Sequence, residues 1–315
     1  MRVLIIAFWV LELVALAVYV RFSWPERTRK GFYLKLLCST VFLAYGITLA
    51  VLIRYGINVS FAGSNTGELS AGANTFLEFT GGGLTDRAVQ LIIAALAYGW
   101  LGDLFLGYAH RAGTPADPDL KDDATLLEQL ADKKTAANTL GILAFILGNG
   151  LYCVAFGRAI YGYEFAIHGW SVIFFALPIL VFALLAVKLD FGKHIVPVGI
   201  YFVALAAMLG LAMTLGIQLW PLHRLFGLCL MVGSGLFTVA NIGLALESYG
   251  GDRFHKLGLR VGRQIAYFFG QMSLATMPIR PQTATLVDLG KVESANAPEA
   301  AEAFAQIKAA LGDEA

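Results

Sequence analysis

The chain has 315 residues, of which 58% are hydrophobic and 14% charged, with a formal net charge of +1. Water-soluble domains carry about 25% charged residues, so charge this sparse cannot cover a soluble body of this length, and lipid must be the solvent for most of it. A balance so near neutrality gives no reason to expect a nucleic acid or a strongly acidic partner.

A helix needs about 20 mostly apolar residues to cross a hydrocarbon core. Eight stretches qualify, at residues 3–20, 33–53, 88–109, 137–160, 165–187, 195–219, 225–247 and 259–277. The sequence therefore predicts an all-α fold, a polytopic bundle of about eight transmembrane helices over residues 1–279, followed by a polar tail at 280–315. The first stretch follows Arg2 in the manner of a signal peptide, but it ends in Tyr19, Val20, Arg21 and Phe22 without a small-residue cleavage site, and reads as a retained helix. The sixth and seventh stretches meet almost directly through Trp220-Pro221, a tight antiparallel turn.

Positive charge sets the expected orientation. The odd-numbered connections hold Arg21, Arg27, Arg29, Lys30 and Lys35, then Arg111, Lys121, Lys133 and Lys134, then Lys188 and Lys193, then Arg253, Lys256, Arg260 and Arg263; the even-numbered ones offer only Arg54, Arg87, Arg158 and Arg224. The odd connections are expected in the cytoplasm and both termini outside. Residues 55–86, rich in Gly, Ser, Thr and Asn, read as a flexible outer loop, or as a lid over a lateral entrance. Residues 110–136 read as a cytoplasmic loop with a small amphipathic surface helix at 124–130. The tail has helical character at 298–311, solvated or docked on a protein partner.

Ionisable groups at membrane depth cost roughly 2.5–3.5 kcal/mol on insertion scales, so each asks for a reason. Glu12 is central in the first stretch. Asp103, Tyr201 and Asn241 fall at similar depths, about 9 Å inside the positive boundary at 1.5 Å per residue. Asn149 and Gln271 lie deeper, and share helix faces with Tyr152 and Tyr267. Together they predict one polar zone weighted toward the positive side. Interhelical hydrogen bonding accounts for Asn149 and Gln271 as readily as a ligand does; Asp103, set among glycines, points more strongly to function. His110, His168, His194, His223 and His255 fall at helix ends and form no metal constellation, and Cys38, Cys153 and Cys229 read as small buried hydrophobes. Neither a metal nor a cofactor is expected.

Five segments then carry a resemblance. The run Ala97-Tyr98-Gly99-Trp100-Leu101-Gly102-Asp103-Leu104-Phe105-Leu106-Gly107 resembles the Gly-Asp segment of the YhhN-like lysoplasmalogenase family. In the same order as in that family, Gly148-Asn149-Gly150-Leu151-Tyr152 is similar to its His-x-x-Tyr helix, Val196 to Met208 with Tyr201 to its Tyr-and-Met helix, Gly235 to Ala245 with Asn241 to its Ser-Asp helix, and Tyr267-Phe268-Phe269-Gly270-Gln271 to its Tyr-x-x-Ala-Gln segment. The resemblance implies an eight-helix bundle that hydrolyses the vinyl-ether bond of lysoplasmalogens, releasing a fatty aldehyde and a glycerophospho-base. It implies Asp103 as the catalytic acid, with Asn241 and Tyr201 assisting and Asn149, Tyr152, Tyr267 and Gln271 against the lysolipid; Glu12, outside the similar segments, is a further catalytic candidate by its depth in the first stretch. Two positions depart from the pattern: Asn149 stands where the family has His, and Asn241 where it has Asp. Either Glu12 replaces the lost carboxylate, or the chain is a non-catalytic lipid-binding or partner-binding subunit on the same fold.

Overall fold

The computed structural model describes residues 2–22, 29–54, 87–112, 124–162, 165–220, 224–251, 254 and 256–278. The outer loop, the tail and the 221–223 turn lie outside the described residues. Among them are eight α-helices and no strand: α1 (Arg2–Phe22), α2 (Arg29–Arg54), α3 (Arg87–Ala112), α4 (Ala124–Gly162), α5 (Ser171–Lys188), α6 (Ile195–Leu219), α7 (Arg224–Tyr249) and α8 (Leu257–Leu274). All but α8 are long and apolar enough to cross a bilayer. The protein is a multi-pass integral membrane protein of the helical-bundle class.

Two expectations change. The surface helix expected at 124–130 is the start of α4, which runs unbroken for 39 residues. Nothing between Leu130 and Ala137 can stop it: Ala131-Asp132-Lys133-Lys134-Thr135-Ala136 contains neither glycine nor proline. At 1.5 Å per residue α4 is about 58 Å long, nearly twice a hydrocarbon core of about 30 Å, so its first turns stand clear of the lipid. The second change is α8. It forms and packs inside the bundle, but Arg260, Arg263, Gln264 and Gln271 within its 18 residues leave it too polar to count as a span by composition.

Six helices close a ring through the contacts α2–α3, α3–α4, α4–α6, α6–α7, α7–α8 and α8–α2. α1 lies outside it against α2 and α8, and α5 packs on α6 alone among the stronger contacts. The share of each span that is buried follows this plan: 22% for α1 and 11% for α5, against 50% for α6 and α7. The outer faces show Val10, Val14, Val172, Leu184 and Val187, an apolar coat that lipid tails cover at no cost. Thr214 Oγ1 donates to Ser171 Oγ at 2.9 Å, and Gln218 Nε2 to the Ala166 carbonyl at 2.7 Å, pinning the α5 end of this edge.

With no hydrophobic drive between helices in lipid, close approach depends on small residues. A Cβ on Gly270 of α8 would fall 2.8 Å from the Phe237 nitrogen and 2.9 Å from the Gly233 carbonyl, both backbone atoms of α7. α7 and α8 therefore touch main chain to main chain. A Cβ on Gly102 would strike the Phe145 ring at 2.7 Å, so α3 and α4 meet through an aromatic ring beside Asp103.

Candidate functional site

The ring of helices encloses the polar zone. α2 carries Lys35 and Ser39, four residues apart and hence on one face, turned toward Asp103 on α3. Lys35 Nζ lies 2.7 Å from Asp103 Oδ1. Ser39 Oγ donates to Asp103 Oδ2 at 2.6 Å, and the Tyr267 hydroxyl of α8 donates to the same oxygen at 2.7 Å. The carboxylate, 3% exposed, thus accepts from one ammonium and two hydroxyls. Such charge-assisted bonds are about twice as strong as neutral ones, and they fix the carboxylate plane. The resemblance implied Asp103 as a catalytic acid without naming a cation beside it; the structure gives it one.

Tyr267 is held in turn. Its ring has Phe42, Phe145, Phe237 and Phe268 as neighbours, with centroids between 5.1 and 6.5 Å. One turn further along α8, Gln271 Oε1 accepts from the Tyr152 hydroxyl at 3.2 Å, and Gln271 lies over Gly99, where a Cβ would be 3.2 Å from its amide nitrogen. Gly99 leaves the room that this buried amide needs.

Two neighbouring spaces lie on this side of the cluster, and Asp103 lines the smaller. A pocket of about 10 Å³, close to the volume one water centre requires, is lined by Lys35, Asp103, Asn241, Arg263 and Tyr267. Leu106, Phe145, Asn241 and Leu244 border both this neck and a larger cavity of about 280 Å³. The cavity runs between Tyr201 of α6 and Asn241 of α7 toward Lys134, His194, Glu247 and Ser248, the end of the bundle where positive charge collects. Asn241 Nδ2 donates to the Phe237 carbonyl of its own helix at 2.7 Å, which holds the amide at the junction.

The sequence-predicted residues separate into three groups. Asp103 and Tyr267 bond directly, with Asn241 beside them and Tyr201 on the cavity wall. Tyr152 and Gln271 form a second pair behind Tyr267. Asn149 and Glu12 do not join by hydrogen bonds: both polar atoms of Asn149, the Tyr201 hydroxyl and both Glu12 oxygens are buried without a hydrogen-bond partner among the described residues. Asn149 lies within interaction range of Tyr201, and Glu12 within electrostatic range of Asp103, yet Glu12 lines neither space. Buried polar groups without partners cost about 1–3 kcal/mol each, so these atoms are suited to meeting water or a ligand.

Several residues of the site were missed in the sequence. Lys35 counted only as an orientation charge and Ser39 passed as part of an apolar run, although their spacing of four was the available signal. Arg260 and Arg263 also read as orientation charges, and Glu247 only as the end of the seventh stretch. In the structure Arg260 Nε and Arg263 Nε reach the two oxygens of Glu247 at 2.8 and 2.9 Å, a part-buried triad between α7 and α8. His194, expected at the interface, instead lines the cavity with Nε2 buried and without a partner among the described residues.

Fold and site together define a polytopic helical membrane protein with a buried, cation-paired carboxylate in a water-sized pocket that borders a larger cavity. The chain belongs to the YhhN family, whose profile matches residues 74–277, more than half of its length. α1 and α2, which carry Glu12, Lys35 and Ser39, precede the matched region. No curated protein and no solved structure matches the chain.

Proposed function

We propose that this protein is an intramembrane hydrolase of the lysoplasmalogenase type, cleaving the vinyl-ether bond of a lysolipid drawn into the cavity. The observation that carries the reading is the water-sized neck lined by Asp103, Lys35, Tyr267 and Asn241, which borders a cavity large enough for part of a lipid. Family membership supports it. In this reading the Asp103 cluster is the proton-exchange centre. A proton held among Lys35, Ser39, Tyr267 and Asp103 passes to the vinyl carbon β to the ether oxygen, leaving an oxocarbenium ion. Water in the neck, oriented by Asn241, adds to that cation and returns a proton to Asp103. The hemiacetal then collapses to a fatty aldehyde and the free glycerol hydroxyl, so one water is consumed and the cluster regains its proton. Tyr201 borders the cavity opposite Asn241, and Glu12, behind the cluster, biases its charge through space. The cavity mouth is assigned to the cytoplasmic leaflet on the strength of the positive charge around it.

The test is aldehyde release by the purified full-length chain from lysoplasmenyl-ethanolamine and lysoplasmenyl-choline, lost in Asp103→Asn. Turnover no greater than that of the variant, across vinyl-ether and ester lysolipids alike, overturns the reading.

One observation favours a second reading. Both Asp103 oxygens are already engaged, and Asn149 and Asn241 cannot exchange protons as His and Asp do, which fits a member that binds lipid without cleaving it. Tight lysolipid binding with no aldehyde formed would establish it.

A further inference from the structure

We propose that Glu12 of α1 is the proton store of the Asp103 cluster, holding a proton at rest and releasing it toward Asp103 when the cluster has given one away. The release step rests on the reading of that cluster as a proton-exchange centre; the resting place of the proton does not depend on any lipid being cleaved.

The packing of α1 sets the direction of the side chain. Glu12, Ala15, Leu16 and Tyr19 are buried along one stripe, while Val10, Leu11, Leu13 and Val14 are exposed on the faces left to lipid. The stripe is pinned on both sides of Glu12. Toward the start of α1, Phe8 meets Tyr45 of α2 with ring centroids 5.4 Å apart, and Trp9 meets Phe269 of α8 at 5.7 Å. Toward its end, the Gln264 amide of α8 donates to the Tyr19 hydroxyl at 3.1 Å. Glu12 is thus enclosed where α1 lies against both α2 and α8, 1% exposed, and neither of its oxygens has a hydrogen-bond partner among the described residues.

The groups around it fix what that carboxyl can be. Asp103 lies within electrostatic range of Glu12, and Cys38 of α2 lies within range of Glu12, Asp103 and Lys35 alike. The nearby cations are committed elsewhere: Lys35 Nζ to Asp103, and Arg260 and Arg263 to Glu247. Tyr19, Cys38, Tyr45 and Tyr267 are acids that stay neutral at pH 7. A buried carboxylate with no donor, beside a second carboxylate, costs far more than a neutral carboxylic acid. Glu12 therefore keeps its proton, and one lysine balances one carboxylate, that of Asp103. The two hydroxyls on Asp103 come from Ser39 of α2 and Tyr267 of α8, the helices on which α1 packs. When the cluster has lost a proton, the O–H bond of Glu12 breaks, and one of these hydroxyls takes that proton as it hands its own to Asp103. The negative charge then rests on Glu12 until the proton that water returns to Asp103 reverses the shift. Glu12 lines neither space, so it acts through Asp103 and not on the lipid.

The experiment begins with infrared spectra of the full-length protein in lipid nanodiscs at neutral pH. The difference between wild type and Glu12→Gln should contain the carbonyl band of a protonated carboxylic acid. Isotopic labelling of the glutamate carboxyl carbons in the wild-type protein should move the same band, which assigns it without any substitution. In Asp103→Asn, and in its more stable combination with Lys35→Met, the neighbouring negative charge is gone, and the band should disappear at a pH lower by about one unit or more. A wild type without the band, or a band whose titration ignores Asp103→Asn, overturns the proposal. Aldehyde release tests the release step. Glu12→Gln should lower kcat about tenfold with KM unchanged, the loss should widen as pH rises and outside protons become scarce, and Glu12→Asp should recover part of it. A Glu12→Gln profile parallel to wild type at every pH overturns the store even where the band is present. A wild type that cleaves no lysolipid strikes the hydrolase reading and the release step with it, and the resting proton then stands or falls on the band.

Discussion

Two buried carboxylates of this bundle are both neutralised by neighbouring cations, yet they are built for different work. Glu247 is gripped by two guanidiniums from one helix, so each oxygen meets a rigid, permanently charged fork. Asp103 meets a flexible ammonium from α2 and hydroxyls from α2 and α8, groups that can pass a proton as well as hold one. The first arrangement braces α7 against α8. The second gathers three helices around a space of one water. Charge pairing alone does not mark a reactive site in a membrane; the identity of the partners and the presence of room beside them do.

That contrast can be broken or sharpened by substitution. The largest effect is expected from Asp103→Asn, which should lower aldehyde release by at least about 100-fold and cost about 3–5 kcal/mol of stability by leaving Lys35 unpaired. Adding Lys35→Met should restore much of the stability and none of the activity, as read by thermal unfolding beside the aldehyde assay. Glu247→Gln should cost about 3 kcal/mol because two guanidiniums lose the carboxylate they share; an unchanged unfolding temperature would show that the triad is not a brace. Tyr267→Phe removes one hydroxyl from Asp103, and should lower kcat about tenfold, with a stability loss near 1–2 kcal/mol. Ser39→Ala should be the mildest, about 1 kcal/mol or less and a few-fold in kcat. A Ser39→Ala effect larger than that of Tyr267→Phe would shift the proton-carrying role from α8 to α2.

The sequence made the bundle legible because apolar length is the one property that lipid demands of every span, and α6 was placed to the residue at both ends. Asp103 was legible for the converse reason, since an acid in such surroundings is costly. Its partners were not. Lys35 sits near the start of α2, where a lysine normally reaches back to the interface, and only the depth of Asp103 on a different helix turns it inward. The start of α4 was misjudged because a charged helix and a charged loop have the same composition, and the difference lies only in the absence of a breaker. Asn149 and Glu12 show the opposite failure. Depth predicted that they would join the polar zone, and they lie near it, but the direction each side chain takes is set by packing that one sequence does not display.

The glycine contact between α7 and α8 bears on how the protein is assembled. With two arginines and two glutamines in 18 residues, α8 has little reason to leave the insertion machinery for lipid unaided. Glu247 for the arginines and Gly233 and Phe237 for the bare backbone at Gly270 wait on the helix made just before it. α8 is thus a passenger of α7: Arg260 and Arg263 reach Glu247 only when the two helices are already side by side. The last hydroxyl to reach Asp103, that of Tyr267, arrives on this passenger. The carboxylate centre is therefore completed only once this hairpin has closed.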